Sequence, residues 1–163
     1  MPDLSLETAR ALPCVHQATI PESYRDEMGH LNVMWYVHLF DRGAWGVFAL
    51  FGADLATVEA RQIGVFALQE HLTYRAEVHI GDAVSVYGRI IAHSAKRIHF
   101  FLTMVNDTHE TLAATAEILA ICIDMTVRRS MTWPDDFAAA LAEHNAAHAA
   151  LGWTPPLSGA IQV

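Results

Sequence analysis

Met34-Trp35-Tyr36-Val37-His38-Leu39-Phe40-Asp41-Arg42-Gly43-Ala44-Trp45-Gly46-Val47-Phe48-Ala49-Leu50-Phe51 reads as one long helix with apolar side chains over most of its circumference. A helix with no broad polar face belongs inside a protein, so the other elements have to enclose it. Asn32 suits the N-cap, and Gly52-Ala53-Asp54 breaks the helix, with a loop expected to about Gln62. Gly43 and Gly46 cost helix propensity; what they offer in return is close approach by strands or by another subunit. The run nears the ~20 residues that cross a bilayer, but His38, Asp41 and Arg42 interrupt it, so no membrane association is expected.

Outside this helix the hydrophobic period becomes two. Val15 to Glu22 alternates as a first strand, with Pro21 marking an edge or a strand end. In a long strand from Phe66 to Val78, one face is expected to carry Phe66, Leu68, Leu72, Tyr74, Ala76 and Val78, and the other Gln69, His71, Thr73, Arg75 and Glu77. Turns at Gly81-Asp82, Ser94 to Lys96 and Asn106 to His109 separate Val84 to His93, Ile98 to Val105 and Leu112 to Arg129, an antiparallel meander. Thr132 as cap, Pro134, and an alanine-rich run from Asp135 to Leu151 stopped by Gly152 signal a last helix. The expected class is α+β: a long central helix wrapped by a curved antiparallel sheet, plus a C-terminal helix. One domain is expected over 1–163, with a core at about 14–130 and a helical tail at about 131–163. A single curved sheet leaves the far side of its helix open. A homodimer or homotetramer is therefore expected, with the site near a subunit interface.

Composition narrows the function. With 163 residues, 53% of them hydrophobic, the chain has enough apolar surface for a core and for a subunit interface. A net charge of -8 and a single lysine, Lys96, exclude a nucleic-acid binder, which needs clustered cations to displace counterions. Met1 to Pro13 carries Asp3 and Glu7 and no signal-like apolar core, so a cytoplasmic location is expected. Cys14 and Cys122 lack the spacing of zinc or redox sites and read as small hydrophobes in a reducing compartment. His16, His79, His93, His99, His109, His144 and His148 are scattered and no HExxH occurs, so no metal site is expected; His144 and His148 read as a polar helix face. Without a GxSxG, a phosphate loop or a Cys/His pair, the simplest chemistry uses no cofactor.

The candidate chemistry lies just before the long helix, in Tyr24-Arg25-Asp26-Glu27-Met28-Gly29-His30-Leu31-Asn32. Asp26 sits on a loop turned by Gly29, upstream of a helix end whose free N–H groups and partial positive charge stabilise an oxygen that gains charge. Asn32, Val33 and Met34 are the candidate donors for that oxygen, and Gly29 and His30 the residues that set the loop geometry.

The pattern Asp-x-x-Gly-His-x-Asn-x-x-x-Tyr, present as Asp26, Gly29, His30, Asn32 and Tyr36, resembles the signature of hotdog-fold acyl-CoA thioesterases of the 4-hydroxybenzoyl-CoA thioesterase type. The resemblance spans roughly Ile20 to Arg129. Val33 stands where many members have a second Asn, which leaves a backbone N–H there but no side-chain amide. The longer pattern, with Phe40-Asp41-Arg42, His71-Leu72-Thr73-Tyr74, Lys96-Arg97-Ile98-His99-Phe100 and Arg128-Arg129, is similar to thioesterase domains of carnitine catabolism, for which the implied substrate is betainyl-CoA. The resemblance implies hydrolysis of an acyl-CoA, with Asp26 as nucleophile or general base.

Trp35 and Tyr36, core or interface side chains by position, join Glu70 and His71 as substrate-pocket candidates. Glu70 is the one acid in the apolar register of its strand: it either pairs with an arginine at no functional site or, with Trp35 and Trp45, meets a quaternary ammonium group. Lys96, Arg97, Arg128 and Arg129 are the candidates for the CoA phosphates, with Arg61 and Arg75 behind them. Two other classes fit the same fold, an enoyl-CoA hydratase or dehydratase and a non-catalytic acyl-CoA-binding dimer.

Overall fold

The computed structural model describes residues 4–163. In chain order the elements are α1 (Leu6–Arg10), β1 (Cys14–Thr19), a 3-10 turn (Glu22–Tyr24), α2 (Val33–Leu50), α3 (Leu55–Ala60), β2 (Ile63–Tyr74), β3 (Ala83–His93), β4 (Arg97–Asn106), β5 (Thr111–Asp124), β6 (Arg129–Ser130) and α4 (Asp135–Ala149). The sheet is antiparallel with order β1-β3-β4-β5-β2, and β6 pairs with the end of β5. This is the expected sheet around a long helix. No helix among the described residues is long and apolar enough to cross a membrane.

The long helix begins where the cap chemistry put it, with the Asn32 side chain accepting the Met34 N–H at 3.1 Å. Its buried side, which includes Leu39, Phe40, Val47 and Phe48, packs with Phe100, Leu102 and Met104 of β4 and Ile118 of β5. Phe48 lies edge-on to Phe100 at 5.6 Å, and Phe51 to Trp133 at 5.5 Å. The glycines serve strands. A Cβ on Gly46 would collide with the Val15 carbonyl of β1, and one on Gly43 would come within 2.8 Å of Val86 Cγ1 on β3. The helix is not enclosed all round, however: Val33, Met34 and Val37 are exposed on its first two turns.

Several sequence expectations need correction. The segment before Gln62 is not a plain loop, because Asp54 caps the short helix α3 by accepting the Thr57 N–H at 3.1 Å. The long strand ends at Tyr74, and its faces differ from a strict alternation. Ala67 lies opposite Ala120 but Gln69 opposite Leu119, so Leu68 is an extra residue, a β-bulge. The bulge turns Val65, Ala67 and Glu70 toward the helix side and sends Phe66 and Leu68 outward. The last long strand stops at Asp124, and a turn leads into β6. Pro134, not Thr132, occupies the N-cap position of α4, with no side-chain cap.

The tail is helical only to Ala149; residues 150–163 form an extended strap over the outer face of the sheet. Trp153 and Ile161 of the strap are buried, and the Ser158 N–H donates to Glu117 Oε2 at 2.6 Å. Glu117 also binds His99 Nε2 at 2.9 Å through Oε1. His148 is not on a polar face either. It is buried, and its Nδ1 accepts the Ile90 N–H at 2.9 Å, on the half of β3 that β1 does not cover.

Candidate functional site

A tight hairpin presents Asp26. Arg25 and Leu31 form an isolated bridge, the Asp26 N–H donates to the His30 carbonyl at 2.8 Å, and Gly29 makes the turn at φ 97°, a conformation that side chains with a Cβ avoid. The Leu31 N–H donates to the Val78 carbonyl at 2.8 Å, so the hairpin rests on the segment after β2. Asp26 Oδ1 accepts the backbone N–H of Met28 at 2.9 Å and of His30 at 3.1 Å, and Oδ2 lies 3.2 Å from His30 Nδ1. Partial burial works to raise the Asp26 pKa, but the two backbone N–H donors and the neighbouring imidazole outweigh it, and the carboxyl is held below its ordinary value. Gly29 and His30 thus shape and hold the carboxylate.

The helix end proves narrower than the three donors considered. The Asn32 N–H is taken by the Tyr24 carbonyl at 2.9 Å and the Met34 N–H by the Asn32 side chain. Among these three, only the Val33 N–H has no partner among the described residues. Val33 and Asp26 line the same cleft of about 350 Å³, together with Leu31, Tyr36, Tyr74 and Arg75. Burial pushes the Tyr36 hydroxyl up to about 12, and its ring meets Tyr74 edge-on at 5.2 Å. A carboxylate, a free helix-end donor and an aromatic wall therefore converge.

Trp35 does not line that cleft; it stacks on Tyr24 with ring centroids 3.7 Å apart. Glu70 lies in a second, smaller pocket of about 90 Å³, with Asp41 and Trp45 among its polar and aromatic walls and Phe48, Phe100 and Ile118 at its apolar base. No arginine pairs with either carboxylate among the described residues. Desolvation first, and then the charge of Asp41, raises the Glu70 pKa. His71, one residue on, points to the opposite face of β2. Sequence reasoning missed Asp41; its i, i+4 spacing to Trp45 was the available signal.

The cations divide. Arg61 is consumed by Asp136 at 2.7 Å, whereas Arg75 borders the Asp26 cleft. Arg97 lies in one row with Ile121 and Phe66, and Arg128 Cζ is 5.9 Å from the Phe66 ring, so these two share one end of the sheet with their chain neighbours Lys96 and Arg129. That end is eight residues along β2 from Tyr74, about 26 Å from the Asp26 cleft. The histidines are less scattered than the sequence suggested. Ligand atoms of His79, Asp82 and His109 lie within 4.8 Å of one another. Asp82 is already engaged, with Oδ2 accepting from Asn106 at 2.7 Å and from the His79 N–H at 2.8 Å, and Oδ1 3.2 Å from His109 Nε2. Asp82 works as a buried anchor for two turns.

A model of the thioesterase-like superfamily matches residues 22–141. The chain is 26% identical over 150 residues to a Rhizobium meliloti protein named L-carnitine dehydrogenase/betainyl-CoA thioesterase; the match covers 92% of this chain but only 30% of that relative. It is 24% identical over 143 residues to the betainyl-CoA thioesterase of Pseudomonas aeruginosa, covering 88% of this chain and 89% of that one. Among solved structures, a Staphylococcus aureus protein in complex with CoA superposes with a TM-score of 0.80 at 27% identity, covering 93% of this chain and 96% of that chain.

Proposed function

Since the chain belongs to the thioesterase-like superfamily and has its hotdog fold, we propose that it hydrolyses an acyl-CoA thioester to free CoA and a carboxylic acid, with Asp26 as the catalytic residue. The observation that carries this reading is the shared cleft of Asp26 and the unpartnered Val33 N–H. A thioester carbonyl oxygen directed at Val33 would gain a donor and the positive end of α2 as it acquires charge. Asp26 then either attacks the carbonyl carbon, giving a mixed anhydride that water opens, or takes a proton from the attacking water. In both routes the C–S bond breaks and the CoA sulfur leaves with a proton; water supplies the oxygen of the acid directly, or replaces the Asp26 oxygen that the acid takes when the anhydride opens at the Asp26 carbonyl. Both need Asp26 ionised, which its hydrogen-bond partners favour.

The finer part of the proposal is that the working unit is a dimer and the acyl group cationic. β2 has a free edge, Tyr74 on it is 49% exposed, and Val33, Met34 and Val37 on α2 are 59%, 58% and 42% exposed. An unpaired edge beside exposed apolar side chains suits a second copy. Within one chain, Asp41 lies eight residues from Val33, about 12 Å along the helix, too far for a short acyl group held at Val33 to reach. Antiparallel association of two α2 helices about Val37 would set Asp41 and Glu70 of the partner subunit near the Asp26 cleft. It would also bring Arg97 and Arg128 of the partner subunit from the far end of the sheet toward it. Two carboxylates and an indole then suit a quaternary ammonium, in line with the betainyl-CoA thioesterase relatives. The cytoplasm remains the proposed location.

The test is release of free thiol from betainyl-CoA and other acyl-CoA esters. Wild type is expected to turn over, and Asp26→Asn to lose at least about 100-fold while melting like the parent. Hydrolysis by Asp26→Asn at the parental rate would sink the assignment.

A further inference from the structure

On the outer face of the sheet, Arg89 is 5% exposed, and its Nε and Nη1 have no hydrogen-bond acceptor among the described residues. A guanidinium keeps its proton inside proteins, so burial leaves both a full charge and unmatched donors, which is costly. Trp153 of the strap lies over it, with Arg89 Cζ 4.4 Å from the ring centroid. An indole face attracts a cation but accepts none of its in-plane hydrogen bonds. The carboxyl end of α4, at Ala149, adds only partial negative charge. His148, the titratable neighbour on α4, is buried and brings no anion.

Arg89 lines a cavity of about 420 Å³ together with Ile90, Ile91, Gly152, Trp153 and Pro155. That size falls in the range of small-molecule sites, which are mostly apolar with a few placed polar groups. We propose that this cavity is a second ligand site, binding a small monocarboxylate with an apolar body through its carboxylate on Arg89. A single cation matches a single negative charge, and the planar fork of the guanidinium matches the two oxygens of a carboxylate. Ile91, Trp153 and Pro155 match an apolar body and disfavour inorganic phosphate, which would lose its hydration to surfaces that return few hydrogen bonds. The strap forms part of the wall, and the Ser158 contact to Glu117 holds it down, so an occupant would further clamp the strap to the sheet. A monocarboxylate released from a neutral acyl-CoA would belong to the same chemical class, whereas betaine, a zwitterion without an apolar body, would not; the site itself does not rest on the hydrolase reading.

Calorimetric titration with hexanoate tests the site, with hexanamide and inorganic phosphate as the neutral and the hydrophilic controls. Wild type is expected to bind hexanoate saturably and neither control. Arg89→Gln is expected to weaken hexanoate at least tenfold while keeping thiol release. Ala149→Phe, at an exposed position on the cavity wall, is expected to weaken it similarly with Arg89 intact, which separates occupancy from any folding defect of Arg89→Gln. Absence of saturable hexanoate binding, binding unchanged in both variants, or phosphate binding as tight as hexanoate would each overturn the proposal. A protein that binds hexanoate at Arg89 but releases no thiol from any acyl-CoA would leave this site standing and the hydrolase reading fallen.

Discussion

At Asp26, three donors meet one carboxylate: two backbone N–H groups and an imidazole nitrogen. A group with a lowered pKa keeps its charge until the pH falls through that lowered value. The acid limb of the kcat/KM profile is therefore expected below the ordinary aspartate range, with no loss of Asp26 ionisation between pH 5 and 8. A profile of hydrolysis rates would check this; a half-maximum near pH 6 would assign the limb to another group. Glu70 has the opposite environment, desolvated and close to a second carboxylate, which a cationic ligand would relieve. Glu70→Gln is expected to reduce the preference for betainyl-CoA over 3,3-dimethylbutyryl-CoA, its neutral isostere, by about tenfold in the ratio of kcat/KM values. Equal loss on both substrates would reduce Glu70 to a structural role.

Among the elements, α2 does most of the positioning. Its amino end faces the Asp26 cleft, and its middle must let two strands in. Helix propensity alone would make Gly46→Ala stabilising by about 1 kcal/mol. The Cβ would run into the backbone carbonyl of Val15, however, and backbone yields less than the end of a side chain does. Overpacking of this kind costs about 1–3 kcal/mol, so the net effect is expected to be destabilising, measurable by chemical denaturation. A more stable Gly46→Ala protein would mean that β1 shifts freely. On β2, one inserted residue, Leu68, decides which side chains meet the helix. Strict alternation put Phe66 and Leu68 on the face of Leu72; the bulge sends them out and leaves Glu70 beside Asp41 and Trp45.

At the scale of the whole molecule, the proposed second copy would cover the free β2 edge and the exposed first turns of α2. Val37→Lys would place two like charges near the proposed two-fold axis while leaving each chain's core untouched, since Val37 is 42% exposed within one chain. It is expected to give a folded monomer by sedimentation, with thiol release reduced at least tenfold although Asp26 is intact. A monomer with full activity would show that one chain holds a complete site.

Much was legible in the chain itself. Asn32 capping a long apolar helix, period-two runs separated by turn residues, and Gly29 beside Asp26 are short-range signals, set by local sterics and by which side chains can satisfy nearby backbone groups. They determined the order of the long strands and of the two longest helices, the largely buried helix, and the Gly29 turn that carries the carboxylate. Tertiary structure alone decided the rest. The bulge at Leu68 depends on how β2 meets β5, the burial of His148 on the part of β3 that β1 fails to cover, and the isolation of Arg89 on the strap that folds over it. The free Val33 N–H likewise emerges only once Tyr24 and the Asn32 side chain have claimed its neighbours. Which donor stays free and which charge is buried depends on residues far apart in the chain, and periodicity and propensity carry no term for such contacts.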